Sequence, residues 1–119
     1  PNGLVCASPD YYLARNVDRI PLSAKLFAHD SHCMVNLKSK TMAVVERDTG
    51  RRIVVGIADF PYTLIWSTPQ EPMRFICIEP WHSIPSEDNG PIEWEKKPCA
   101  ASLAPNEMWQ TTLNMTFER

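Results

Sequence analysis

TMAVVERDTGRRIVVGIA, residues 41–58, has the pattern of an antiparallel β-hairpin. β-branched residues stand on both sides of the polar segment Asp48-Thr49-Gly50. Two such runs around a short turn that contains glycine are typical of strands that pair with each other. The segment therefore predicts a hairpin near the centre of the chain and indicates a β protein.

The rest of the chain also favours short strands over helices. Eleven prolines against four glycines break helices and favour short strands joined by irregular loops. Further candidate strands are residues 33–37, 62–67 and 74–80, and only residues 22–28 could form one or two helical turns. The predicted class is all-β, packed as an antiparallel β-sandwich or as part of a larger one.

Residues 108–117 predict a half-buried strand near the C-terminus. Successive strand residues point to opposite faces, and the apolar face here holds Trp109, Leu113, Met115 and Phe117. In a small sandwich such a face needs cover, because exposed apolar patches usually mark an interface. We therefore expect the chain to pack against the remainder of a longer polypeptide or against a second copy.

Length and charge exclude several classes of partner. The 119 residues are enough for one small domain. Acidic and basic residues are interspersed at a formal net charge of -2, so no basic stripe follows a nucleic-acid backbone or an anionic membrane surface. The apolar runs are far shorter than the roughly 20 residues of a membrane-spanning helix. We expect a soluble protein that binds neither nucleic acid nor membranes.

The cysteines and histidines do not predict a metal or redox site. Four widely spaced cysteines lack a Cys-x-x-Cys pair, which favours reduced thiols. The start of the chain has no secretory signal pattern, so the cytoplasm is the expected location, and Pro1 in place of methionine suggests a fragment. No phosphate loop or zinc-hydrolase motif is present, and no cofactor is expected. The histidines are too dispersed for a metal cluster: His29, His32 and His82.

Residues 75–81, FICIEPW, carry the strongest indication of chemistry. Glu79 ends an otherwise apolar strand, immediately before Pro80 stops the hydrogen-bond ladder. A carboxylate there is costly unless it is hydrogen-bonded or used, and such a group suits proton transfer. An ordinary surface charge at a strand end is an equally good interpretation. The adjacent Trp81 favours a sugar, since the C–H faces of sugars pack on aromatic rings.

Three further features have structural interpretations of their own. Asp30 lies between an apolar segment and a strand, where an aspartate usually accepts backbone hydrogen bonds in a turn. Trp66 is expected in the core. Residues 83–101 form a long polar connection with three prolines, and a loop of this length in a compact domain is either functional or disordered.

Four segments, in this order, resemble the aldose 1-epimerases, or galactose-mutarotase-like proteins, and especially their bacterial branch of uncharacterised sugar epimerases. The segments are IPLSAKLFAHD (20–30), DFPYTLIWS (59–67), FICIEPW (75–81) and LAPNE (103–107). The resemblance extends over about residues 10–119 and matches the C-terminal part of a β-supersandwich more than twice as long. It implies that residues 1–119 are the C-terminal portion of one such domain, without its N-terminal half.

The resemblance also implies an activity, the interconversion of the α and β anomers of an aldose by acid/base catalysis. Glu79 stands at the position of the base, which removes the proton of the anomeric hydroxyl. Asp30 stands at the position of an aspartate that binds sugar hydroxyls, and Trp81 is expected to contact the monosaccharide. In the family a histidine protonates the ring oxygen, but no histidine here matches its position. The general acid is therefore expected outside this chain, and the isolated chain is expected to be inactive.

Two departures from the family pattern concern loops. After Trp81 the family often has an aromatic residue and a glycine, whereas this chain has His82-Ser83, which leaves the sugar specificity open. Asn106 replaces a usual glycine, a tolerable change because asparagine adopts left-handed backbone geometry readily. Two other functions fit the same residues. One is a carbohydrate-binding module without turnover, and the other is an interaction domain that uses open sheet edges.

Overall fold

A computed structural model describes residues 11–86, 90, 93–97 and 99–119 of the chain. Within these residues the elements are six strands and two short 3-10 helices. The helices are η1 (Ala24–Phe27) and η2 (Trp94–Lys96). The strands are β1 (His32–Val35), β2 (Thr41–Val45), β3 (Arg52–Gly56), β4 (Tyr62–Trp66), β5 (Cys77–Trp81) and β6 (Met115–Glu118).

The strands form two antiparallel sheets of three strands each. One sheet has the order β1-β4-β5 and the other the order β2-β3-β6; they are called the β4 sheet and the β3 sheet after their central strands. With almost no helix, this architecture confirms the predicted all-β class and is consistent with a β-sandwich. Within the described residues, β1, β5, β2 and β6 each pair with one strand only and are therefore edge strands.

The predicted hairpin is confirmed. β2 pairs with β3 from Thr41 opposite Gly56 to Val45 opposite Arg52. The connection closes through the main chain, where the Gly50 N–H donates to the carbonyl oxygen of Glu46 at 2.9 Å. The carboxylate of Glu46 accepts hydrogen bonds from Thr49 and Arg51, which hold the pKa of Glu46 below its ordinary value. The turn is therefore fixed by its own residues.

The C-terminal strand is shorter and more exposed than the sequence predicts. Only Met115–Glu118 pairs with β3, and β3 ends at Gly56. The Asn114 carbonyl oxygen still accepts from the Gly56 N–H at 2.9 Å, but β3 ends there, and residues 108–113 pair with no strand among the described residues. The predicted strand over 108–117 is therefore wrong for its first part. The predicted half-burial is also wrong, because the apolar side chains are 51% to 73% exposed: Trp109, Leu113, Met115 and Phe117.

The other candidate elements lie close to their predicted places. Residues 33–37 and 62–67 correspond to β1 and β4, the segment 74–80 becomes a strand only at Cys77, and residues 22–28 contain η1. The buried core is small in the described residues, consisting of Thr63, Ser67 and the apolar residues Ala24, Phe27, Val55, Ile57, Leu64 and Ile65. The core therefore lies around β4, the end of β3 and η1.

Some sequence features fall outside the described residues. Pro1 and Cys6 are among them, as is part of the polar connection 83–101. In the part that is described, neither 3-10 helix is long or apolar enough to span a bilayer.

Candidate functional site

Glu79 lies in the middle of β5, on one face of the β4 sheet. It is opposite Leu64 of β4, which is in turn opposite Cys33 of β1. Directly opposed residues of antiparallel strands project from the same face, so the three side chains form one row across the sheet. Glu79 is half-buried, which leaves its carboxylate open to a ligand while neighbouring side chains exclude part of the water.

Three aromatic side chains lie on the same face as Glu79. Trp81 follows two residues after Glu79 on β5, and its partner across the ladder is Tyr62. Trp66 lies on the same face at the other end of β4, opposite Cys77. The Glu79 face is defined here as Cys33, Val35, Tyr62, Leu64, Trp66, Cys77, Glu79 and Trp81. An acidic group among aromatic rings is an arrangement suited to a polar ligand with apolar C–H faces.

Trp66 does not become a fully buried core residue as the sequence predicts. It is half-buried, and its ring packs against Phe75 with centroids 5.5 Å apart and a tilt of 54°. Ser67, the next residue, is completely buried and donates a hydrogen bond to the Phe75 carbonyl oxygen at 2.8 Å. These contacts hold the segment before β5 against β4 and so fix the position of Trp66 on the Glu79 face.

Cys77 is the nearest titratable neighbour of Glu79 on the same strand. Burial is the main reason that the pKa of the Cys77 thiol is raised, and the negative charge of Glu79 and a hydrogen bond to it add to the effect. The negative charge of Glu79 therefore favours the neutral thiol of Cys77, and both side chains lie on the Glu79 face.

Tyr62 connects the Glu79 face to the polar connection 83–101. Its hydroxyl lies 2.5 Å from the thiol of Cys99, a residue of left-handed backbone conformation with φ 63°. This hydrogen bond is the main reason that the pKa of Tyr62 is raised, followed by burial and by the charges of Cys99 and Cys33. At least one residue of the polar connection thus contacts the border of the Glu79 face.

Asp30 occupies a turn immediately before β1. Its φ is 93°, its N–H donates to the Phe27 carbonyl oxygen at 3.1 Å, and its carboxylate accepts from the Ser31 N–H at 2.7 Å. This geometry is the turn that the local sequence predicts. Because β4 separates β1 from β5, Asp30 lies two strand spacings, roughly 10 Å, to the side of β5. Binding of sugar hydroxyls by Asp30 stays a prediction.

The histidines have other contacts. His32 is opposite Ile65 and so projects from the other face of the β4 sheet. Its Nε2 donates to the Leu26 carbonyl oxygen at 2.6 Å, and its Nδ1 lies 2.5 Å from the Tyr11 hydroxyl. The ring of His82 packs between Phe60 and Trp109, with centroid distances of 4.6 and 4.8 Å and Nε2 2.9 Å from the Thr111 hydroxyl. His29 is exposed in the turn after η1.

Part of this site escapes sequence reasoning. Tyr62, Leu64 and Trp66 alternate along β4, and that spacing alone places them on one face. The local sequence of β4 does not show that this face is also the face of Glu79, because the register between β4 and β5 depends on long-range pairing. Cys77 could have been found, because residues two apart on a strand share a face. Within the described ranges, no group of three or more metal-ligating side chains could hold a metal ion.

Comparison with known proteins gives two distant relatives. The chain is similar to "Protein LacX, plasmid" and "Protein LacX, chromosomal" of Lactococcus lactis subsp. lactis. With each it is 29% identical over 103 residues, which are 86% of this chain and 34% of the relative. No family model matches the chain, and no solved structure matches it significantly. The chain thus spans about a third of the length of the curated relatives that it matches.

Proposed function

We propose that these residues belong to an aldose 1-epimerase-like isomerase, a protein that interconverts the α and β anomers of an aldose. The observation that carries the proposal is the half-buried carboxylate of Glu79 on a face bordered by Tyr62, Trp66 and Trp81. The similarity to the LacX proteins supports a carbohydrate-related role. Within that role, we assign to Glu79 a proton transfer on a sugar.

In the proposed reaction Glu79 accepts the proton of the anomeric hydroxyl. The electron pair of that O–H bond forms the carbonyl group as the bond between C1 and the ring oxygen breaks, and a general acid protonates the ring oxygen. Rotation about the C1–C2 bond followed by the reverse transfers gives the other anomer. Asp30 would hold sugar hydroxyls, and Trp81 would pack on the C–H face of the ring.

The general acid of this mechanism is a histidine from outside the 119 residues. His32 projects from the opposite face, and His82 is held by Phe60, Trp109 and Thr111. The active protein is therefore proposed to be a longer polypeptide in which another segment completes the acid/base pair. Free thiols at Cys33, Cys77 and Cys99 suit a reducing compartment, so we propose the cytoplasm as its location.

The test is anomer exchange of glucose and galactose, followed by NMR with a polypeptide of the length of the relatives. Glu79→Gln keeps the shape of the side chain but removes the base, so exchange is expected to fall by about 100-fold or more. Glu95→Gln, which changes an exposed glutamate of η2, is the matched control and should leave the rate unchanged. Undiminished exchange in Glu79→Gln would rule out the assigned base.

A second candidate function is a carbohydrate-binding module on the same face. It is favoured by one observation, that His32 and His82 have structural partners away from Glu79. Calorimetry and the exchange assay together separate the two candidates. A binding module would bind a monosaccharide in calorimetry but would not accelerate anomer exchange above the spontaneous rate. If no sugar binds at all, both proposals fail.

A further inference from the structure

The β3 sheet carries an uninterrupted apolar face, called here the Phe117 face. The strand register places Met42 opposite Val55, Val55 opposite Met115, and Val44 and Phe117 on either side of Ile53. Directly opposed residues project from the same side of the sheet. The Phe117 face therefore consists of Met42, Val44, Ile53, Val55, Met115 and Phe117.

The opposite face of the same sheet has a different character. Thr116 and Glu118 alternate with the apolar residues of β6, and Arg52 pairs with Glu118 across the ladder in an ion pair. The opposite face thus mixes these polar side chains with Ala43, Val45 and Val54, whereas every residue of the Phe117 face is apolar. An alternation of this kind is typical of an antiparallel sheet whose other face packs on a core.

The structure leaves the β6 side of the Phe117 face open. Val55 is 4% exposed, but Met115, directly opposite it on β6, is 51% exposed. Phe117 is 73% exposed, and Ile53, opposite it on β3, is 40% exposed. Leu113 adds another half-exposed apolar side chain where the chain enters β6.

We propose that the Phe117 face is an internal packing surface, covered by the apolar face of a second β-sheet from polypeptide outside these 119 residues. Additional polypeptide is a better occupant than a second copy, because the matched residues are only 34% of the relatives. A facing sheet about 10 Å away would interdigitate its own alternating apolar residues with Ile53, Met115 and Phe117.

The test compares two cysteine substitutions at neighbouring positions of β6, made both in the 119-residue chain and in the polypeptide as its source cell produces it. Phe117→Cys reports on the Phe117 face, and Thr116→Cys on the opposite face is the matched control. Maleimide labelling at each position is followed by peptide mass spectrometry, which separates the new thiols from the native ones. Met115→Cys provides a second probe of the Phe117 face, and circular dichroism confirms that each variant is folded.

In the longer polypeptide, the thiol of the Phe117→Cys variant is expected to be labelled at least about tenfold more slowly than that of the Thr116→Cys variant, since packing must open before the reagent enters. In the 119-residue chain, diluted until light scattering shows a monomer, the two rates should be similar. Equal labelling of both variants in the longer polypeptide would overturn the proposal. So would a source polypeptide of only 13.6 kDa, or protection in the longer polypeptide that disappears when it is diluted to a monomer. None of these readouts involves a sugar, so the result is independent of the proposed isomerase activity.

Discussion

At the residue scale, the charge of Glu79 acts on the thiol of Cys77 two positions away on β5, and this thiol can be observed separately from the candidate base. Burial, then the charge of Glu79 and the hydrogen bond to it, raise the pKa of the Cys77 thiol. The thiol therefore reports on the protonation and identity of the residue at position 79. This matters because the ionised form of cysteine, the thiolate, is the form that reacts with alkylating reagents.

Replacing Glu79 by glutamine should lower the pKa of Cys77. The substitution removes a negative charge that disfavours the thiolate, while the contribution of burial remains. At any pH below the pKa, Cys77 should then be alkylated faster, and its rate profile should shift to lower pH. The measurement is the iodoacetamide rate at Cys77 as a function of pH in folded protein, read by peptide mass spectrometry.

Cys33 is the internal control for this experiment. Burial raises the pKa of Cys33, without a contribution from Glu79, so its profile should not move when Glu79 is replaced. If the profile of Cys77 also stays where it is, the thiol does not contact the carboxylate. If both profiles shift together, the substitution has loosened the sheet.

Sequence patterns identify only part of this residue-scale picture. Glu79 and Trp81 share a face because they are two positions apart on one strand, and that is visible in the sequence. Tyr62 reaches Trp81 only through the pairing of β4 with β5, and Cys99 reaches Tyr62 across 37 positions. Such long-range contacts depend on the register and on loop geometry, which local patterns do not determine.

At the element scale, the turn between β2 and β3 depends on Gly50. Its φ is 73°, in the left-handed region that costs a residue with a Cβ roughly 1–2 kcal/mol. A Cβ at this position would meet no atom within 4 Å, so the cost of a substitution is conformational and not steric. Gly50→Ala is therefore expected to lower the free energy of unfolding by about 1 kcal/mol. Urea unfolding followed by circular dichroism measures the change.

Gly56→Ala is the matched control for the turn. A Cβ there would lie 3.5 Å from the Cβ of Asn114, an ordinary contact, and the backbone of Gly56 is not in the left-handed region. This variant should be as stable as the parent protein or slightly more stable, because alanine loses less conformational entropy on folding. Equal destabilisation by both substitutions would contradict the role given to the turn.

The hairpin and the C-terminal strand show why some elements can be predicted and others cannot. Both strands of the hairpin and its turn lie within residues 41–58, so the local pattern contains the pairing partners. β6 pairs with β3 across more than fifty residues, and its length is limited by where β3 ends at Gly56. The alternation over 108–117 correctly gives the face of Met115 and Phe117 but not the extent of the strand.

At the scale of the whole molecule, the all-β class follows from local signals, whereas the way the apolar surface is covered does not. Alternation along β2, β3 and β6 identifies which face of the β3 sheet is apolar. It cannot say what packs there, because the partner of a sheet face can come from any part of a polypeptide. The radius of gyration of 16.2 Å shows that the described elements alone do not enclose that face.

The isolated 119-residue chain is accordingly expected to self-associate and to bind a hydrophobic dye such as ANS. Phe117→Thr keeps a residue that suits strands but removes the most exposed side chain of the Phe117 face, which is 73% exposed. Both the average mass in light scattering and the ANS fluorescence should fall. Val45→Thr is the matched control, because Val45 is 51% exposed and lies on the opposite face, across from Arg52. A monodisperse parent chain that binds no dye, or an equal effect of both substitutions, would show that the Phe117 face does not drive association.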